Sequence, residues 1–239
     1  TEVRWWMAEG GHTDQTLEEE VQAMYDAGFR GVELCQLNVS GMDASTWGYG
    51  SEQWNHDFHV VLNKCMDLGM TVGITSGTNW NTSNVPGLNP DSQAAMQTVL
   101  EMHETVSAGT ALENHAIPTS KTSSGGCGGS TTITVKDAAQ WVGAYAYKIV
   151  DAAAKPQVLG DPIDVSAYVT EADGVRTSSW TVPDDGDYQI FYLWMQGTYQ
   201  ASSPAVQPSY CVNYLDQRGF EAWAEYFKAN VLNDPALNE

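Results

Sequence analysis

The sequence predicts an α/β chain in which a run of parallel strand–helix units is interrupted by an antiparallel β-sandwich. Three observations carry that prediction. Two stretches before Met70 repeat their apolar residues at helical spacing, and each is followed by a short strand-like run. From about Gln97 to about Gln207 the apolar period becomes two. Beyond that stretch the α/β pattern returns.

Taken in order, Val3-Arg4-Trp5-Trp6-Met7 is a short apolar strand followed by a loop over residues 8–15. Thr16 with Glu19 forms a capping-box pattern, and the acidic residues 18–20 suit the positive end of a helix dipole. Leu17, Val21, Met24 and Tyr25 share a helical face, and Gly28 ends that helix. Residues 31–37 (GVELCQL) make a second strand. Ser51 opens a second helix, whose Phe58, Val61, Leu62, Cys65 and Met66 keep i, i+3, i+4 spacing up to Gly69. Residues 70–75 (MTVGIT) make a third strand. Short links between these elements imply parallel strands with right-handed crossovers.

Residues 81–91 form a loop rich in Asn, Pro, Ser and Gly, and the sandwich pattern follows. Trp141, Gly143, Tyr145 and Tyr147 are expected on one strand face. Trp180 and Val182 precede a Pro183-Asp184-Asp185-Gly186 turn, beyond which Tyr188, Ile190, Tyr192 and Trp194 alternate. Residues 120–130 (SKTSSGGCGGS) look like a flexible surface loop. The α/β pattern resumes with a buried strand at 210–215 (YCVNYL), an N-cap at Asp216 and a helix face of Phe220, Trp223, Phe227 and Val231. The domains expected are therefore 1–96, 97–207 and 208–239. Four strand–helix units fall short of the eight that close a (β/α)8 barrel of about 250 residues, and open sheet edges are a liability. The polypeptide is expected to continue past Glu239, unless a short doubly wound sheet is the architecture.

Composition narrows the partners. Thirty acidic against ten basic residues give a net charge of −20, which repels phosphate backbones and anionic headgroups. No run of about 18 apolar residues suggests a membrane span. Nucleic acid and membrane are thus excluded as expected partners, while neutral ligands fit. Nine Trp and eleven Tyr supply aromatic faces suited to sugar rings, though most such residues pack in cores. Cys35, Cys65, Cys127 and Cys211 allow three pairings and single out none. A start at Thr1 and the sequons at Asn38 and Asn81 lean towards secretion.

Among chemically suggestive residues, Glu33 sits within an apolar strand, where a carboxylate needs a partner such as Arg4 or a function. Glu9 reads as solvated loop and Asp216 as a helix cap. His56 and His59 have an i, i+3 spacing that can bind metal, but nothing converges on them and no metal site is expected. The 125–129 glycine run lacks the Lys and helix of a phosphate loop, and no Gly-x-Ser-x-Gly elbow occurs.

Several motifs in order carry a family resemblance. Arg4-Trp5-Trp6-Met7 with Gly10-Gly11, Ala27-Gly28-Phe29 and Gly31-Val32-Glu33-Leu34 resemble the opening of α-L-rhamnosidase-like glycoside hydrolases (family 106 and relatives). Tyr49-Gly50-Ser51-Glu52-Gln53-Trp54, Leu68-Gly69-Met70-Thr71-Val72 and Gly77-Thr78-Asn79-Trp80 are similar to its next segments. So are Trp180-Thr181-Val182-Pro183, Gly186-Asp187-Tyr188 and Cys211-Val212-Asn213-Tyr214-Leu215. Asn213 stands where that family commonly has an acid, and Met7-Ala8-Glu9-Gly10 lacks its usual Pro.

The resemblance implies the first four units of a (β/α)8 TIM-type barrel with an inserted antiparallel β-sandwich. It also implies an exo-acting, inverting hydrolase of oligo- or polysaccharide, whose catalytic carboxylates lie on later strands beyond Glu239. The remaining C-terminal part of the same protein would then be a partner, and calcium a possible cofactor. Substrate contacts are expected from Glu33, Asn79, Trp80, Trp6, His12 and Asn213 at the mouth. The alternative is a non-catalytic carbohydrate-binding or assembly protein derived from such a hydrolase.

Overall fold

A computed structural model describes residues 1–7, 10–37, 39, 41–78, 83–124, 130–202 and 204–232. In chain order its elements are β1 (Glu2–Met7), α1 (Asp14–Asp26), β2 (Gly31–Gln36), α2 (Ala44–Trp47), α3 (Glu52–Asp67), β3 (Thr71–Ile74), β4 (Asn84–Pro86) and β5 (Gln97–Val106). There follow β6 (His115–Ala116), β7 (Ser120–Ser124), β8 (Ser130–Thr134), β9 (Gln140–Asp151), β10 (Val158–Asp164), β11 (Val169–Ala172) and β12 (Val175–Ser178). The last are β13 (Tyr188–Gly197), β14 (Ala201–Ser202), β15 (Ser209–Cys211) and α4 (Gln217–Phe227). The chain divides into two compact units, residues 1–96 with 197–239, and residues 97–196.

In the first unit, β1, β2 and β3 form a parallel sheet in that order. Val3 faces Val32 and Val32 faces Val72 across it. Alternation sends Val3, Trp5, Met7, Val32, Leu34, Val72 and Ile74 to one face, where Leu17 and Val21 of α1 and Phe58, Val61 and Cys65 of α3 cover them. The opposite face carries Arg4, Trp6 and Glu33. Helix α1 starts earlier than expected: Thr13, not Thr16, is its N-cap and accepts from the Thr16 amide. Gly28, at φ +100°, ends it as expected. Ser51 caps α3 through the Trp54 amide. The stripe on α3 is narrower than the spacing suggests, since Met66 lies 67% exposed.

The barrel expectation is overturned. Strands hold 41% of the chain and helices 24%, arranged in several small sheets, where a (β/α) barrel alternates each strand with a helix. Among the described residues no helix lies between β3 and β4. The segment expected as a fourth parallel strand lies in a separate antiparallel sheet of order β14-β15-β4. Its backbone groups are consumed there: Tyr210 faces both Ala201 and Val85, and Val212 bridges Ala95. Tyr214 and Leu215, expected to be buried, are 58% and 99% exposed. A six-residue apolar run signals a strand but not its neighbour, and here the contacts of β4 and β14 decide.

The second unit contains a four-stranded sheet of order β10-β9-β13-β5, a three-stranded sheet of order β11-β12-β6, and the β7–β8 hairpin. Its core gathers Leu100, Met102, Ala144, Ala146, Ile190, Tyr192 and Trp194 with Ile117, Val165, Trp180 and Val182. Tyr188, Ile190, Tyr192 and Trp194 all point inward. On β9 the expected face is broken. Leu193 opposes Gly143 but Trp194 opposes Trp141, so Val142 is an extra residue. That bulge moves the inward positions from Trp141 to Ala144 and Ala146, leaving Tyr145 and Tyr147 outside. Of the surface loop expected at 120–130, residues 120–124 are instead the strand β7, paired with β8 from Ser130 onward, and residues 125–129 lie outside the described residues.

Candidate functional site

The loops at the C-terminal ends of β1 and β2 meet in a cleft. Gly10 and Gly11, from the segment after β1, form one wall. Val39, Gly41, Met42, Asp43 and Trp47, from the segment after β2, form the other. The cavity measures about 480 Å³, within the usual range for small-ligand sites. Ends of parallel strands are the common place for such sites, because the loops there converge while the sheet stays rigid.

Short helix α2 sets the far wall. Asp43 caps it, accepting from the Ser45 amide at 3.0 Å and from the Thr46 hydroxyl at 2.7 Å. Hydroxyls of Ser45 and Thr46 hold the Asp43 carboxyl below the usual range. Trp47 ends the helix with its indole against Gly10, so close that a Cβ on Gly10 would lie 2.6 Å from Cδ1 and 2.7 Å from Cδ2. Only glycine leaves room for that ring.

His12 stands behind the indole. Its ring meets that of Trp47 edge to face, with centroids 5.7 Å apart and planes at 85°. It also lines a neighbouring cavity of about 200 Å³ with Trp5, Met7, Thr16, Leu17 and Glu20, which shares Gly10 and Gly11 with the cleft. Nε2 of His12 lies 3.8 Å from Oδ2 of Asp57, a residue of α3 that is 3% exposed. The Gln53 amide donates to the other Asp57 oxygen at 2.9 Å. Burial pushes the Asp57 carboxyl up, while the Gln53 bond and the His12 charge pull against it.

The remaining sequence-predicted residues fall elsewhere. Glu33 makes a two-pronged pair with Arg4, at 2.8 and 3.0 Å, on the sheet face away from the helices. Trp6 shares that face, opposite Cys35, with 47% of its surface exposed. Asn213 donates to the Gln93 carbonyl at 3.3 Å and accepts from the Leu215 amide at 3.1 Å. It borders a second, apolar cavity of about 150 Å³ with Ser83, Val212, Tyr214, Phe220 and Trp223. Trp223 donates to the Ser76 carbonyl, which ties α4 to the segment after β3. Asn79, Trp80 and Glu9 lie outside the described residues. His56 pairs with Asp14 at 2.8 Å, and Asp216 caps α4. Among the described residues no group of three or more His, Cys, Asp or Glu is placed to hold a metal, and no helix is long and apolar enough to cross a membrane.

Of the predicted contacts among the described residues, then, His12 alone lies beside the cleft, in the adjoining cavity, and Trp47, Asp43 and Asp57 were not foreseen. Asp57 had a signal: with Trp54, Phe58, Val61 and Cys65 it falls on the buried stripe of α3, where a carboxylate is out of place.

No family model matches the sequence, and no curated protein matches it. A rhamnosidase structure from Novosphingobium sp. PP1Y is similar over 95% of this chain, with 10% identity and a TM-score of 0.47. The match takes in 36% of that protein, so this chain spans about a third of its length. A likeness that shallow says nothing of activity.

Proposed function

We propose that this chain is part of a carbohydrate-active protein related to glycoside hydrolases, and that the cleft between Gly10-Gly11 and Trp47 holds a neutral saccharide. The observation that carries the reading is the Trp47 indole, set against Gly10 and lining a cavity of sugar size at the ends of two parallel strands. The strongly acidic composition suits an uncharged ligand. The finer expectation, an extracellular exo-acting enzyme that removes terminal α-L-rhamnose through two carboxylates, is supported by the sequence motifs alone.

One observation favours a second reading, binding without turnover. Asp43 is the one carboxylate among the described residues lining the cleft, and its hydroxyl partners hold it ionised and fixed as a cap. It is poorly suited to donate a proton to a leaving oxygen. Titration with methyl α-L-rhamnoside and a panel of neutral monosaccharides, alongside assays of aryl-rhamnoside hydrolysis, separates the readings. Trp47→Ala is expected to weaken binding about tenfold, the scale of one lost ring-stacking contact. A panel with no binder, or an affinity indifferent to Trp47→Ala, would refute the saccharide site.

A further inference from the structure

We propose that Asp57 is a positioning residue for the Trp47 cleft, that it acts through His12, and that the charge on this pair makes saccharide binding there depend on pH. The inference rests on the saccharide reading above and deepens it.

The contacts form a chain. Asp57 reaches His12 across 3.8 Å, a separation for charge attraction more than for a hydrogen bond. The side chains are 13% and 5% exposed for His12 and Asp57, so water screens the attraction weakly. His12 presses its ring against Trp47, and Trp47 lies on Gly10. Helix α3 thereby holds the cleft wall through one imidazole. With His12 protonated and Asp57 ionised, the pair pins the imidazole behind the indole. Protonating Asp57 removes the attraction as the pH falls, and burial brings that loss to a higher pH than for a free carboxylate. Binding weakens there, because packing alone then holds the imidazole.

Other charged groups lie near the pair. Asp14 on α1 and His56 on α3 act on Asp57 with opposite sign, and they pair with each other at 2.8 Å. Glu20 of α1 lines the cavity that His12 borders. Asp43 lies across the cleft as an ionised cap. Gln53 holds one Asp57 oxygen whatever the charge on His12.

The test uses methyl α-L-rhamnoside as probe, with Kd measured from pH 4 to 7 for the wild type, Asp57→Asn and His12→Gln. The wild type is expected to bind about tenfold more weakly at pH 4 than at pH 7, since each unit by which a pKa differs between free and bound protein is about tenfold in affinity. Asp57→Asn keeps the side-chain volume and the Gln53 contact, and should flatten that acid limb. His12→Gln removes the group through which Asp57 acts and should flatten it as well, which keeps the test open if one variant folds poorly. An acid limb unmoved by Asp57→Asn overturns the positioning role alone. A probe that fails to bind the wild type at any pH sinks the saccharide reading and this inference with it.

Discussion

Replacing Gly10 by Ala tests the cleft most directly. A methyl group there would lie 2.6 and 2.7 Å from two ring atoms of Trp47. These are not the flexible tip of a chain, so the indole or the 10–12 backbone must move. Overpacking of this kind costs about 1–3 kcal/mol. In a Trp47→Ala background the obstacle is gone. Gly10 does not occupy the left-handed region, so Ala should then cost nothing or stabilise by about 0.5 kcal/mol through the unfolded chain. A double-mutant cycle on urea unfolding should therefore give a coupling of about 1–3 kcal/mol between positions 10 and 47. Gly11→Ala is the control. Its φ of +82° makes Ala strained there, but nothing lies within 4 Å, so it should lower stability without coupling to Trp47. Saccharide affinity should follow the same logic, falling with Gly10→Ala. Additive costs for Gly10→Ala and Trp47→Ala would show that the ring does not sit on Gly10, and the proposed wall would be lost.

Four further outcomes are expected. Tyr49 is fully buried, and its hydroxyl finds no hydrogen-bond partner among the described residues, so Tyr49→Phe should raise the unfolding free energy by about 1 kcal/mol; a lower Tm would contradict this. Ser51→Ala removes the cap of α3 and should cost about 1 kcal/mol in urea unfolding, with the Asp57-bearing helix the first to lose amide protection. Arg218 draws the Asp216 carboxyl down from 3.8 to about 2, a depressed folded value, so its contribution is present above pH 4 and lost as the pH falls towards 2. Melts of wild type and Asp216→Asn should accordingly differ at pH 5 and converge near pH 2. Glu33→Gln should leave the Kd for the saccharide within about twofold, because Glu33 is spent on Arg4 and does not line the cleft; a larger loss in calorimetry would return Glu33 to the binding site.

The parts of the fold legible in the sequence are those in which local pattern determines the neighbour. In β1 to β3, helical stripes separate short apolar runs, and Val3, Val32 and Val72 duly lie side by side. The run around Val212 has the same apolar character, yet its neighbours are β4, β14 and Ala95, fixed by contacts far along the chain. On β9 one inserted residue, Val142, exchanges the two faces beyond it, and strict alternation cannot reveal a bulge. His12 was readable as a polar residue after a glycine pair near a strand end. Trp47 was not, since the four residues of α2 are too few to show a period.

Loss of the fourth parallel strand does not reach the cleft. The site needs two adjacent parallel strands whose ends are level, and Met7 facing Gln36 supplies that register. From there β1 leads into Gly10-Gly11-His12, β2 leads into Asp43 and Trp47, and α3 returns Asp57 beneath both. What does lapse with the barrel is the closed ring of strand ends on which further carboxylates would have converged. A saccharide bound here would thus be recognised by a rigid aromatic wall and backbone, with the buried His12–Asp57 contact deciding how firmly that wall is held.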